Sequence, residues 1–355
     1  MTVVEEILSK RGIPKLPIEE KSGKDPGAEL RKRLLKIVSE RQYGIIPKCE
    51  HLDYEIRAEN LNYFGGKAIY REILLTLTVN GEKFSFPVYS LIPGGAEKCP
   101  AFLMINFRDN VPDRLMPSEE IIDNGFAVFS FCYNDVTKDN GDFSDGIARI
   151  LRGARRTDTS PGKIAMWAFA AMRVMDFIET VKEVDKERVA VIGHSRLGKT
   201  ALLAGATDTR FKYVISNDSG CCGAALTRGK VGESVSVITN TFPHWFCPRF
   251  VKRAALFEED GFDQHFLMAL IAPRHLLIGS AEEDLWADPE SEFFGALATS
   301  EAYNLYGVPG LIHKGEIPKA PTVLDEGRIL YHLRRGGHWM NRDDWQVYMN
   351  YIKKN

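Results

Sequence analysis

An α/β fold with a mostly parallel central sheet sandwiched by helices is predicted by three features of this 355-residue sequence. Short continuous apolar runs recur with helical patterns between them, as expected for strands covered on both faces. A sharp strand–turn–helix stands at 187–206, late in the chain. No internal repeat, low-complexity tract or Gly/Ser linker marks a boundary. One domain spanning 1–355 is therefore expected, a length that large α/β folds often use as a single unit.

The elements follow in order. Residues 1–60 read as a mostly helical lead-in packed on that domain, broken by Pro14, Pro17 and Pro26, with a charged helix around 28–41. From Ile69 the period changes to alternation: strands are predicted at 69–79 and 83–92, joined by Asn80-Gly81, a strong hairpin signal. Further strands are predicted at 101–106, 126–131, 188–193, 213–217, 275–280 and 329–333. A long helix is expected at about 161–182, with Pro161 in its first turn.

Composition excludes several classes. Forty-six basic against 48 acidic side chains leave a net charge of −2, so nothing points to nucleic acid or a membrane surface as a partner. No apolar run approaches the ~18 residues that span a bilayer. The first residues carry acids where a secretory signal would carry basic charge, so a cytoplasmic protein is expected unless a native leader was removed. Six cysteines without a CxxC pair read as small buried thiols, not a disulfide or zinc framework. The acidic segment 135–146 fails the calcium-loop spacing in every register and reads as a solvated loop.

The chemistry concentrates at 187–206, ERVAVIGHSRLGKTALLAGA. A buried strand ends at Gly193, Ser195 follows, and a helix of small residues begins, the context of a nucleophile elbow in an α/β-hydrolase fold. Such a turn lifts the serine above the sheet and aims helix N-terminal amides at a developing oxyanion. Gly193 to Thr200 also satisfies the phosphate-loop pattern GxxxxGK[ST]. That motif normally follows the first strand, however, and this one comes after several.

A serine hydroxyl needs a base, and the base needs a carboxylate. His338 is the favoured base, because two glycines before it let a loop fold back over the elbow after the strand at 329–333. His265, His275 and His332 lie within a helix or strand pattern and read as structural. Asp218 and Asp284 both follow strands, where open α/β sheets place their sites. Asp288, before Pro289, reads as a helix cap.

The segments GHSRLGKTAL, SNDSGCCGAAL (216–226), GES (232–234), FPHWFCPRF (242–250), FDQHFLMALIAPR (262–274), EEDLWADP (282–289) and GGH (336–338) together resemble the bacterial glucuronoyl esterases, carbohydrate esterase family 15. The resemblance runs in order from about residue 106 to the C-terminus, roughly two-thirds of the chain. It implies Ser195 as nucleophile and His338 as base. It implies Asp218, where the family usually has Glu, or Asp284, at the more usual hydrolase position, as the acid; side-chain geometry ranks Asp284 marginally ahead. It further implies Arg196 as oxyanion stabiliser and Lys199, Glu233 and Trp286 as sugar contacts. Asn106, Phe107 and Arg108 fall in the loop that supplies a second oxyanion donor, with Asp109 in a stretch where the family usually has glycine.

The expected function is a serine esterase cleaving (4-O-methyl-)glucuronoyl esters of plant cell-wall glucuronoxylan or its fragments, with no cofactor and no metal. An acetyl or other small carbohydrate esterase is the alternative, and a phosphate-loop nucleotide-binding protein the distant one.

Overall fold

The computed structural model describes residues 2–18, 25–152 and 155–355. Ten strands form one sheet: β1 (His51–Asn62), β2 (Ala68–Val79), β3 (Glu82–Pro93), β4 (Cys99–Asn106), β5 (Ala127–Cys132), β6 (Val184–His194), β7 (Tyr213–Asn217), β8 (His275–Ala281), β9 (Thr322–Leu324) and β10 (Ile329–Arg334). Their spatial order is β1-β2-β3-β5-β4-β6-β7-β8-β10-β9. The run from β5 through β10 is parallel, and the outer pairs are antiparallel. All eight strands read from the sequence are present. The Asn80-Gly81 turn has positive φ at both residues, 52° and 75°, as a two-residue hairpin of this handedness requires.

Alternation along the inner strands explains why their sequences read as continuous apolar runs. Leu103 and Ile105 of β4 face one core while Phe102 and Met104 face the other. The first core is covered by α1 (Val3–Lys10), α2 (Pro26–Val38), α3 (Lys163–Ile178), α4 (Arg196–Thr207) and α5 (Pro289–Asn304). The second is covered largely by α6 (Arg342–Lys354) and the short helix Ser118–Asp123.

Two expectations change. The last part of the lead-in is not helical: His51–Asn62 is an edge strand, paired antiparallel with β2 and bulged between Ile56 and Ala58. Positions 19–24 of the lead-in lie outside the described residues. The long helix starts at Lys163, two residues beyond Pro161, because Gly162 is extended (φ −79°, ψ 172°) and caps it, and its close approach to the Trp245 carbonyl leaves no room for a Cβ.

Candidate active site

Parallel strands end on the same side of the sheet, and that edge gathers the candidate residues. Ser195 sits between β6 and α4 at φ 58° and ψ −126°, a conformation that costs a non-glycine residue about 1–3 kcal/mol. Two contacts enforce it. The Ser195 N–H donates to Asn217 O at 2.9 Å, and a Cβ on Gly193 would lie 2.1 Å from Leu197 O, so only glycine permits the turn. Asp218 ends β7, Asp284 follows β8, and His338 follows β10 across Gly336 and Gly337.

The imidazole is held by one acid. His338 Nδ1 lies 2.6 Å from Asp284 Oδ2, and Asp284 also accepts from the Ala287 N–H. Burial acts to raise the Asp284 carboxyl, but the His338 hydrogen bond and charge and the Ala287 amide outweigh it and hold the group below its ordinary value. Asp218 is differently placed. Its Oδ2 accepts from Arg334 Nη2 at 3.0 Å, and its Oδ1 has no hydrogen-bond partner among the described residues. Burial first, then the charge of Glu292, pushes its carboxyl well above the usual range, and Arg334 offsets only part of this. Ligand-type atoms of His194, Asp218 and His338 lie within 4.8 Å of one another, but Arg334, Asn217 and Asp284 already engage them, a poor fit for a cation.

A cleft of about 340 Å³ is lined by Ser195, Arg196, Lys199, Asp218, Glu233, Asp284, Trp286 and His338. The eight residues expected to carry catalysis and sugar contacts are therefore brought to one hollow, whereas the expected second oxyanion loop is not. A larger hollow of about 780 Å³ beyond Trp339 holds no serine–histidine pair, and its Ser118 hydroxyl donates to Met116 O. Trp286 is 58% exposed at the cleft rim. Lys199 is buried and its ammonium donates to Ser219 O at 2.5 Å, while Thr200 donates to Arg196 O. The groups that would bind phosphate in a nucleotide loop are thus engaged within the fold. The 106–110 loop does not line the cleft: the Phe107 N–H donates to Asn106 Oδ1 at 2.8 Å, and Arg108 pairs with Asp113.

Several residues that shape the site were not legible beforehand. Arg196 Nη1 pairs with Asp139, which also accepts from Trp245 Nε1 at 2.6 Å and lies 2.9 Å from His244 Nε2. Burial would raise the Asp139 carboxyl, yet His244, Trp245 and Arg196 together bring it down to about 2. The Arg196 guanidinium lies 5.0 Å from the Trp245 ring centre, and its Nε–H is buried without a partner among the described residues. Behind the cleft, Glu292 accepts from Ser280 Oγ and the Gly220 N–H, and burial raises it to about 7. Trp245 and Phe242, stacked at 4.0 Å, belong to a segment quoted above only for its resemblance. Asp139 lies in the segment read as a solvated loop, and its partners at 244–245 are more than a hundred residues away, too far for any local pattern to reveal.

Comparison with known proteins identifies the relatives of the chain. Residues 75–307 match the family described as glucuronyl esterase of fungi. The chain is 35% identical over 372 residues to the carbohydrate esterase MZ0003 of an unknown prokaryotic organism, covering 93% of this chain and 85% of that one. It is 27% identical over 229 residues to the 4-O-methyl-glucuronoyl methylesterase 1 of Wolfiporia cocos, covering 60% of this chain and 55% of that protein. Among solved structures, a promiscuous esterase of carbohydrate esterase family 15 from a marine bacterial metagenome is 32% identical with a TM-score of 0.86, covering 96% of both chains. A glucuronoyl esterase from Solibacter usitatus is 30% identical, also with a TM-score of 0.86, covering 96% of this chain and 97% of the other. The chain belongs to the glucuronoyl esterases, the serine esterases of carbohydrate esterase family 15, and has their α/β-hydrolase fold.

Proposed function

We propose that this esterase hydrolyses the ester between a (4-O-methyl-)glucuronoyl carboxyl and an alcohol through an acyl-enzyme on Ser195. The observation that carries the reading is the 2.6 Å contact from Asp284 to His338, beside the elbow serine in a cleft that also presents Lys199, Glu233 and Trp286. Asp284 keeps the proton on Nδ1, leaving Nε2 free to take the Ser195 proton. As Oγ attacks the ester carbon, negative charge grows on the carbonyl oxygen. The Arg196 guanidinium and the first amides of α4, which no helical carbonyl can reach, answer that charge. The tetrahedral species then expels the alcohol, which takes its proton from His338, and water attacking the acyl carbon frees Ser195 by the same relay. Lys199 and Glu233 supply a donor and an acceptor for sugar hydroxyls, and Trp286 supplies an apolar wall.

The test is hydrolysis of methyl 4-O-methyl-glucuronate. Ser195→Ala lowers kcat by at least about 10³-fold, and the wild type cleaves this ester faster than an acetylated xylo-oligosaccharide. Near-normal turnover by Ser195→Ala would sink the serine mechanism, and the reverse substrate order would favour the acetylesterase reading. Among the described residues no helix is long and apolar enough to cross a membrane.

A further inference from the structure

Arg334 ends β10, four residues before His338. Its side chain is 6% exposed, and its guanidinium serves four acceptors. Nε donates to Asp344 Oδ2 at 3.0 Å, Nη1 to Arg335 O at 3.0 Å, and Nη2 to both Asp218 Oδ2 at 3.0 Å and Gly337 O at 3.1 Å. Two of these acceptors belong to the short loop that carries the histidine. That loop has little else to fix it: Gly336 has φ 92°, a Cβ on Gly337 would meet nothing within 4 Å, and the Glu283 N–H donates to Gly336 O. Asp344 in turn accepts from the Asn341 N–H at the start of α6. One planar cation therefore joins the end of β7, the loop after β10 and the first turn of α6.

We propose that Arg334 is a positioning residue for the hydrolytic reaction: its guanidinium fixes the 335–337 loop that presents His338 and holds Asp218 off the imidazole, so that Asp284 alone orients the base. The inference rests on the reading of Ser195, His338 and Asp284 as the hydrolytic set. The fork is what does this, since a lysine ammonium is a point charge that cannot meet four acceptors in one plane. His338 is faced by Asp284 from the loop after β8, His194 from the end of β6, Asp218 from the end of β7 and Arg334 from its own strand.

Two variants test this. Arg334→Lys keeps the buried charge and loses the fork; Arg334→Met with Asp218→Asn removes the cation together with one of its acceptors. Each is measured per folded molecule, counted from the native baseline of a urea titration, so that a partly unfolded sample does not pass for a slow enzyme. Both variants are expected to lower kcat by about tenfold or more with KM within about threefold, the pattern of a misplaced base rather than lost substrate binding. A scaffold role alone would lower the melting temperature and leave kcat per folded molecule at the wild-type value; that result overturns the proposal. Should the double variant fail to fold, Arg334→Lys decides by its kcat. The controls separate two failures: full activity of Ser195→Ala removes the underlying reading, whereas a dead Ser195→Ala beside wild-type-like Arg334 variants removes only the role of Arg334.

Discussion

Two aspartates at neighbouring strand ends look interchangeable in the sequence, and only their surroundings distinguish them. Asp284 touches the imidazole and is held below its ordinary pKa, so it is charged when the base needs it. Asp218 is pushed up by burial and faces Arg334, so it is a weak partner for an imidazolium. Asp284→Asn is therefore expected to lower kcat/KM by about 10³-fold through the wrong tautomer of His338, while Asp218→Asn stays within about threefold. Rate measurements giving the opposite ranking would move the acid to the end of β7. The proposed nucleophile and base could be picked out in the sequence because elbow, glycines and chain order are local signals. For the acid the sequence put Asp284 only marginally ahead of Asp218, because the choice depends on an arginine that arrives from a third strand.

At the level of elements, the loop at 135–146 shows what composition conceals. Its acids suggested a solvated segment, yet Lys163, the first residue of α3, inserts a fully buried ammonium into it. Nζ donates to Thr137 Oγ1 at 2.9 Å, Lys138 O at 2.8 Å, Asp142 O at 2.5 Å and Asp145 Oδ1 at 3.2 Å. The loop is thus folded around an internal cation, and through Asp139 it grips Arg196 at the cleft. Replacing Lys163 by Met leaves Asp145 and two carbonyls without that partner, at an expected cost of about 3 kcal/mol by urea titration. The same variant is expected to lose esterase activity at temperatures where it remains folded, because Asp139 loosens; a destabilised Lys163→Met with unchanged kcat would disconnect loop from site. The strands show a matching limit. Inner strands were legible from unbroken apolar runs, whereas β1 is exposed along nearly all its length and its Leu52, Tyr54, Ile56 alternation ends at a bulge. At three residues β9 is too short to show any period.

Across the whole molecule, the buried ionisable groups set a pH dependence of stability distinct from that of catalysis. Burial, the leading cause in each case, lowers His194 to about 4, His265 to about 4 and His275 to about 3. Each stays neutral in the fold but takes a proton in the unfolded chain below about 6.5, so each withdraws stability as the pH falls. Glu292 acts in the opposite sense. Raised to about 7, it keeps a proton in the fold that the unfolded chain releases near 4.5, and its contribution is lost as the pH rises through that interval. Asp218, raised by burial, acts in the same direction. Between about pH 4.5 and 6.5 the three histidines outnumber the two raised carboxyls, so the unfolded chain binds more protons than the fold and stability climbs with pH. Two substitutions must move that slope in opposite directions. Glu292→Gln removes a proton held by the fold and makes the rise steeper. His275→Gln removes one taken up on unfolding and makes the rise shallower, whatever either change does to stability at neutral pH. Urea midpoints measured across this range decide the matter: parallel curves for the two variants and the wild type would mean that these buried groups titrate alike in the folded and unfolded chain.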